Sequence, residues 1–170
     1  MNARILLKTA AVLILTWSTP SLAISDFSLP WYDRSGTSQQ TYNSYDYRNS
    51  VFVIEVFQLR CPLCNDNAPN IANLADEYRR SFMSTQVLSI GLDQDEQSYR
   101  QWIMRHSPSH PVLKDVGRQI SQQLGVTQTP GTFVLDCRLN VRWQHSGVWS
   151  TTTISEIKAT VSTLSQQPCQ

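Results

Sequence analysis

The chain has 170 residues, and its 14 Lys and Arg against 13 Asp and Glu give a formal charge of +1 with no basic run. That balance excludes a nucleic-acid partner held on a basic face. With four cysteines and 41% hydrophobic residues, the composition is that of a globular chain long enough for a proper core.

The first 23 residues read as an export address. Arg4 and Lys8 precede an apolar run over residues 9–17, and Pro20 and Ser21-Leu22-Ala23 follow it, the order found in a cleavable signal peptide. The run is shorter than the roughly 20 apolar residues of a membrane helix, and no cysteine follows the expected cut to accept a lipid. Cleavage after Ala23 predicts a periplasmic or otherwise exported chain with no stable membrane insertion; an uncleaved anchor is the alternative. Taking Arg4 and Lys8 from the 14 basic residues leaves 12 against 13 acidic ones, a charge of −1. Residues 24–170 then form one domain. Within it residues 24–50 are an N-terminal extension, whose polar part, 35–49, is expected to be irregular or weakly paired.

Val51–Phe57 is a nearly continuous β-branched and aromatic run broken only by Glu55, which predicts a strand covered on both faces. Cys61-Pro62-Leu63-Cys64 follows, and Ile71, Leu74, Tyr78 and Phe82 then recur at helical spacing. The two cysteines therefore open an amphipathic helix. Residues 86–92 read as the next strand, and 95–106 as a helix turning Tyr99, Trp102 and Ile103 inward. A further helix is expected over 116–124, with Val116, Ile120 and Leu124 on one face and Gly125 ending it. Residues 132–136 and 141–145 make a hairpin turned around Arg138 and Asn140. The last helix starts near Thr153, where Thr153 and Glu156 have capping-box spacing, and shows Ile154, Ile157, Val161 and Leu164 on its face. Alternating strands and helices followed by a hairpin give an α/β fold, a mixed sheet with helices on both faces.

The cysteine pair is the chemical signal. Thiol–disulfide exchange needs a thiolate, whereas an ordinary cysteine titrates near 8.5. At a helix N-terminus unpaired N–H groups and the helix dipole stabilise the anion, and Arg60 adds a neighbouring positive charge. Cys61 is thus the expected nucleophile, and Cys64, one turn inward, the resolving thiol. Two other readings stay open: an inert disulfide, and half of a zinc site. Zinc needs four ligands, and Cys137, Cys169, His106, His110 and His145 show no second CxxC spacing. No metal or other cofactor is expected. His106 and His110 flank a Ser-Pro-Ser loop and read as exposed, and His145 has no partner that spacing can name.

Several separated segments together resemble the thioredoxin superfamily, and within it the exported TlpA/ResA-like branch. Asp26-Phe27-Ser28-Leu29-Pro30 is similar to that branch's opening segment; Pro69 follows Cys61 by eight residues, where thioredoxins kink their first long helix. His110-Pro111-Val112-Leu113 resembles the segment before the third helix, and residues 124–130, ending Thr129-Pro130, resemble the approach to the family's cis-proline. Phe133-Val134-Leu135-Asp136 and Gly147 match the hairpin and its exit. Two departures are Arg60 in place of the usual Trp, and Cys137 in the turn after Asp136.

The resemblance implies a thioredoxin-like fold and an enzyme acting on protein thiols and disulfides, recharged by a membrane redox partner. Pro130 would lie opposite the cysteines, leaving the Thr129 backbone free to pair with a substrate strand. Glu55 would be the buried acid that exchanges a proton with the second cysteine; its alternative is a half-exposed strand residue. Cys137 and Cys169 would approach one another as a structural disulfide, with free thiols or an intermolecular bridge as alternatives. Electron flow is open: the branch favours a reductant, Pro62 also occurs in DsbA-like oxidants, and Thr129 is similar to DsbC-like isomerases. A thiol peroxidase is disfavoured because residues 53–60 lack the Pro and Thr of the Pro-x-x-x-Thr-x-x-Cys pattern. A non-enzymatic binding module with a locked disulfide is the last alternative.

Overall fold

A computed structural model describes residues 22–81 and 84–169. The expected leader lies outside these residues apart from Leu22 and Ala23, and so does Phe82. Strands β1 (Ser28–Tyr32), β2 (Ser38–Asn43), β3 (Val51–Phe57), β4 (Thr85–Gly91), β5 (Val112–Lys114), β6 (Gly131–Leu135) and β7 (Val141–Ser146) make one sheet in the order β2-β1-β5-β4-β3-β6-β7. The helices are α1 (Pro62–Arg79), α2 (Glu96–His106), α3 (Gln119–Gln123) and α4 (Thr151–Ser165). This is a thioredoxin-like fold. Among the described residues no helix is long and apolar enough to cross a membrane.

β3 lies inside the sheet, parallel to β4 and antiparallel to β6, and all seven of its residues are buried. Both faces are covered, which is why its sequence runs apolar instead of alternating. Val51 and Val53 pack with Ile71, Leu74, Ile157 and Val161 of α1 and α4. Phe52, Ile54 and Val56 pack on the opposite face with Ile120 and Leu124. Successive strand side chains point to opposite faces, so Glu55 faces the α1 side with Val53.

Three expectations need correction. Residues 35–49 are not irregular: β2 pairs with β1 in an antiparallel hairpin, and β1 joins the sheet beside β5. An edge hairpin needs few apolar residues. Tyr42, 2% exposed, stacks on Tyr47 with centroids 4.9 Å apart, and Tyr32 stacks on Tyr99 at 4.4 Å. The helix expected over 116–124 is broken. A 3-10 turn, Val116–Arg118, precedes α3, with Gly117 and Arg118 at φ of 69° and 57°. The buried Asp115 carboxylate accepts from the backbone N–H of Ile120 (3.1 Å) and Ser121 (2.9 Å), which starts α3 late. Finally, α4 is capped by Ser150, whose Oγ accepts from Thr153 N at 3.1 Å; Thr153 is buried inside the first turn.

Candidate active site

Cys61 is the N-cap of α1, with φ −81° and ψ 117°, and Pro62 opens the helix, a position where its missing N–H costs nothing. Cys61 Sγ accepts from Cys64 N at 3.2 Å, the bond that a Ser or Asp cap would make. A disulfide joins the two cysteines, with Cα atoms 5.2 Å apart. Cys61 is partly exposed and Cys64 fully buried. Arg60 is exposed beside it.

The segment before β6 supplies the opposite wall. The Thr129–Pro130 bond is cis, and the Thr129 carbonyl oxygen lies 3.6 Å from Cys61 Sγ. Thr129 Oγ1 donates to Gln58 Oε1 at 3.2 Å, and Gly147 N donates to Pro130 O at 2.8 Å. Leu63, 50% exposed, leaves an apolar tip next to the redox pair.

Glu55 is not half-exposed; it is 0% exposed. It accepts from Asn67 Nδ2 at 2.8 Å and from Ser89 Oγ at 3.1 Å. Burial pushes its carboxyl up to about 7, with the two hydrogen bonds from Asn67 and Ser89 opposing that rise. Asn67 lies three residues after Cys64 on the buried face of α1, so Glu55 is tied to the face that carries Cys64. Asn67 Oδ1 also accepts from Trp149 N at 3.0 Å, and Trp149 Nε1 donates to Thr132 Oγ1 at 2.7 Å.

Two histidines differ from expectation. His110 is partly buried, with Nε2 2.8 Å from Ser89 Oγ. His106 packs on the Trp102 ring, centroids 4.2 Å apart, and its Nε2 lies 2.8 Å from Asn65 Oδ1. Asn65 Nδ2 in turn donates to the Cys61 carbonyl at 2.8 Å. The flanking Ser-Pro-Ser suggested a solvated loop, but tertiary packing encloses its ends. Asn67, Ser89 and Asn65 were missed altogether. Asn67 had a signal: it is a polar residue within the stripe Cys64, Ala68, Ile71, Ala75. Ser89 had none, because its role depends on strand register.

Cys137 and Cys169 are joined by a disulfide, Cα atoms 6.1 Å apart, linking the β6–β7 turn to the segment after α4. In that turn Asp136 accepts from the N–H of Arg138 (3.0 Å) and Asn140 (2.9 Å).

Comparison with known proteins agrees with the fold. In structure the chain is similar to a putative thiol:disulfide interchange protein DsbE from Chlorobium tepidum, at 19% identity and TM-score 0.72, covering 85% of this chain and 96% of that one. A putative thioredoxin from Neisseria meningitidis aligns at 20% identity and TM-score 0.70, covering 87% and 94%. The pneumococcal exposed lipoprotein thioredoxin Etrx1 from Streptococcus pneumoniae aligns at 21% and TM-score 0.69, covering 82% and 100%. No curated protein matches in sequence. The model of the AhpC/TSA family matches residues 21–144. The chain therefore belongs to the AhpC/TSA family, within the thioredoxin superfamily, and carries the cysteine pair of a thiol–disulfide oxidoreductase at Cys61 and Cys64.

Proposed function

We propose that this chain is an exported thiol–disulfide oxidoreductase acting on protein substrates, in which Cys61 attacks, Cys64 resolves and Glu55 manages the proton of Cys64. The observation that carries this reading is the asymmetry of the pair: a partly exposed Cys61 capping α1, backed by a fully buried Cys64 on the helix face to which Glu55 is tied.

In the reducing direction the Cys61 thiolate attacks one sulfur of a substrate disulfide. The substrate S–S bond breaks, its other sulfur leaves as a thiolate, and a mixed disulfide forms. Cys64 then passes its proton to the Glu55 carboxylate and attacks Cys61 Sγ, which expels the substrate's second thiolate. The enzyme pair is oxidised by two electrons and the substrate reduced by two. During the encounter the Thr129 backbone pairs with an extended substrate segment, holding its sulfur near Cys61, while Pro130 shapes the wall behind it.

Resemblance to the TlpA/ResA-like branch favours the reductant, kept reduced by a membrane redox partner; the alternatives are a DsbA/DsbC-like oxidase or isomerase. Export after Ala23 fits a chain with two disulfides, since such bonds persist in oxidising compartments. The Cys137–Cys169 bond is then a structural tie for the C-terminal segment. Equilibration of the Cys61–Cys64 couple against glutathione decides direction: a potential near −270 mV marks a reductant and one near −120 mV an oxidant.

The family match favours one second reading, a thiol peroxidase. Against it, the residues before Cys61 lack the Pro and Thr of a peroxidatic site, and the resolving sulfur sits one turn away on the same helix. Assays of insulin disulfide reduction and of peroxide consumption separate the two. Peroxide turnover without disulfide reduction would overturn the oxidoreductase reading.

A further inference from the structure

The first turn of α1 and the last turn of α2 meet at one side chain. Asn65, the residue after Cys64, donates from Nδ2 to the Cys61 carbonyl at 2.8 Å, and its backbone N–H donates to the same oxygen at 3.1 Å. On its other side Asn65 Oδ1 lies 2.8 Å from His106 Nε2 and accepts from Arg105 Nη1 at 3.3 Å. These partners fix every proton in the row. The Cys61 carbonyl only accepts, so the Asn65 amide nitrogen faces it; the amide oxygen that remains also only accepts, so His106 Nε2 carries hydrogen. Burial, and after it the Arg105 charge, lowers the His106 pKa and favours the neutral ring.

Packing holds that ring in place. His106 lies on Trp102, and Trp102 lies on Phe57 with centroids 4.5 Å apart. Both aromatic residues belong to the apolar cluster that contains Cys64 and borders Cys61. Ser107, in the left-handed region at φ 44°, closes α2 by donating its N–H to Ile103 O at 2.8 Å.

We infer that Asn65 and His106 are positioning residues that stabilise the thiolate form of Cys61. That role presupposes Cys61 as the nucleophile of the proposed function. Two electrons from a thiol reductant and one proton open the Cys61–Cys64 bond, leaving a thiol on Cys64 and a negative charge on Cys61 Sγ. The partial negative charge on the carbonyl oxygen of Cys61 itself opposes that anion. Two N–H groups aimed at this oxygen draw its charge away, and the His106 N–H polarises the Asn65 amide further, as consecutive hydrogen bonds do. The same bonds fix the carbonyl, and with it the ψ of 117° at which Cys61 Sγ accepts from Cys64 N. A sulfur anion held there faces the positive end of α1.

The formal charges nearby are divided. Arg60 precedes Cys61 but also faces Asp95, which hydrogen bonds from Ser98 and, after them, the Arg60 charge hold below the usual carboxylate range. Asp93 accepts from Leu59 N at 2.8 Å, Asp66 is exposed on α1, and Glu55 of β3 is tied to Asn67 one turn along the helix. On the β6 side the Thr129 carbonyl oxygen lies 3.6 Å from Cys61 Sγ. Against these negative groups Arg105 is the cation whose hydrogen bonds lead through Asn65 to Cys61.

The test is the pH midpoint of Cys61 alkylation in the full mature chain, read site by site by mass spectrometry, together with the equilibrium of the pair against glutathione. Asn65→Leu removes the amide. His106→Phe keeps a ring on Trp102 without the N–H, and His106→Gln gives up the ring but returns an amide N–H. Asn65→Leu and His106→Phe should each weaken the thiolate equilibrium by about threefold or more, the size of one modest hydrogen bond, and move the glutathione equilibrium towards the oxidised pair. His106→Gln should stay close to the parent. If Asn65→Leu and His106→Phe match a parent whose midpoint lies below the ~8.5 of an ordinary cysteine, the positioning role is wrong and Cys61 remains the nucleophile. Equal shifts in His106→Phe and His106→Gln, or a shift in His106→Gln alone, show a ring that matters for packing and also overturn it. A parent midpoint at or above 8.5 removes the reading of Cys61 and the positioning role together.

Discussion

Glu55 and Ser89 stand opposite each other in the parallel β3–β4 pair, and the Ser89 hydroxyl donates to Glu55 Oε2 at 3.1 Å. Thr132 of β6 faces Glu55 from the other side, so a short row of polar side chains crosses the middle of an otherwise apolar sheet. A carboxylate there is shut off from water and, among the described residues, accepts two hydrogen bonds, which is why its neutral form is favoured.

This gives a stability–pH relationship of unusual shape. Glu55 titrates near 4.3 when unfolded and about 7 when folded, so between those values only the folded state keeps the proton. Its contribution is complete in acid and lost as pH rises to 7, up to about 4 kcal/mol at ~1.36 kcal/mol per unit. His110 has the opposite sign: near 6.5 unfolded and about 4 folded, it adds stability as pH climbs from 4 to 6.5. The parent should therefore show a nearly flat urea midpoint between pH 4.5 and 6.5. Glu55→Gln should become more stable with rising pH in that window and His110→Gln less stable. Parallel curves for the two variants would refute these opposed titrations.

Asn67 joins α1 to β3 and to the loop before α4 through Glu55 and Trp149. Asn67→Ala leaves Glu55 Oε1 and Trp149 N buried without that partner, costing about 2–6 kcal/mol at ~1–3 kcal/mol for each orphaned group. It also removes a donor that stabilises the Glu55 carboxylate, so the Glu55 midpoint should climb beyond its parent value. Carbon-13 NMR of labelled Glu55 reads this directly. A midpoint that stays put or falls contradicts the arrangement.

How far these features were legible beforehand follows from what pattern encodes. β3 was readable because all seven residues are buried, leaving an apolar run with fixed ends. The same burial hid the status of Glu55, since a strand covered on both faces gives no alternation to sort inside from outside. The start of α1 was readable from Cys61 and Pro62. The β1–β2 hairpin was not, because an edge pair carried by Tyr32 and Tyr42 reads as polar sequence. Nor was the break before α3, which depends on a capping carboxylate at Asp115 and a positive φ at Arg118. The contact between Ser89 and His110 spans 21 residues and two loops. Only strand register brings it about.

Loss of the second disulfide should separate stability from activity. Cys137→Ser with Cys169→Ser frees the C-terminal segment and should cost about 2–4 kcal/mol. For a chain of this size that corresponds to a fall in Tm of roughly 5–15 °C. Disulfide reduction at 25 °C should stay within twofold of the parent, because Cys137 and Cys169 lie apart from the α1 N-terminus. Unchanged melting, or activity lost in step with the bond, contradicts a purely structural tie.

Removal of the resolving sulfur should arrest the cycle halfway. Cys64→Ala is expected to accumulate mixed disulfides through Cys61 that collapse on adding dithiothreitol, whereas Cys61→Ala should accumulate none. Non-reducing gels with mass spectrometry read both. Equal trapping by the two variants is incompatible with a division of labour between the sulfurs.

The most direct measurement of that division is the pH dependence of alkylation of the reduced protein by iodoacetamide, followed site by site with mass spectrometry. Cys61 should react first, with a midpoint below the 8.5 of an ordinary cysteine, and Cys64 should stay protected until the chain unfolds. A Cys61 midpoint at or above 8.5, or labelling of Cys64 as fast as Cys61, would contradict it.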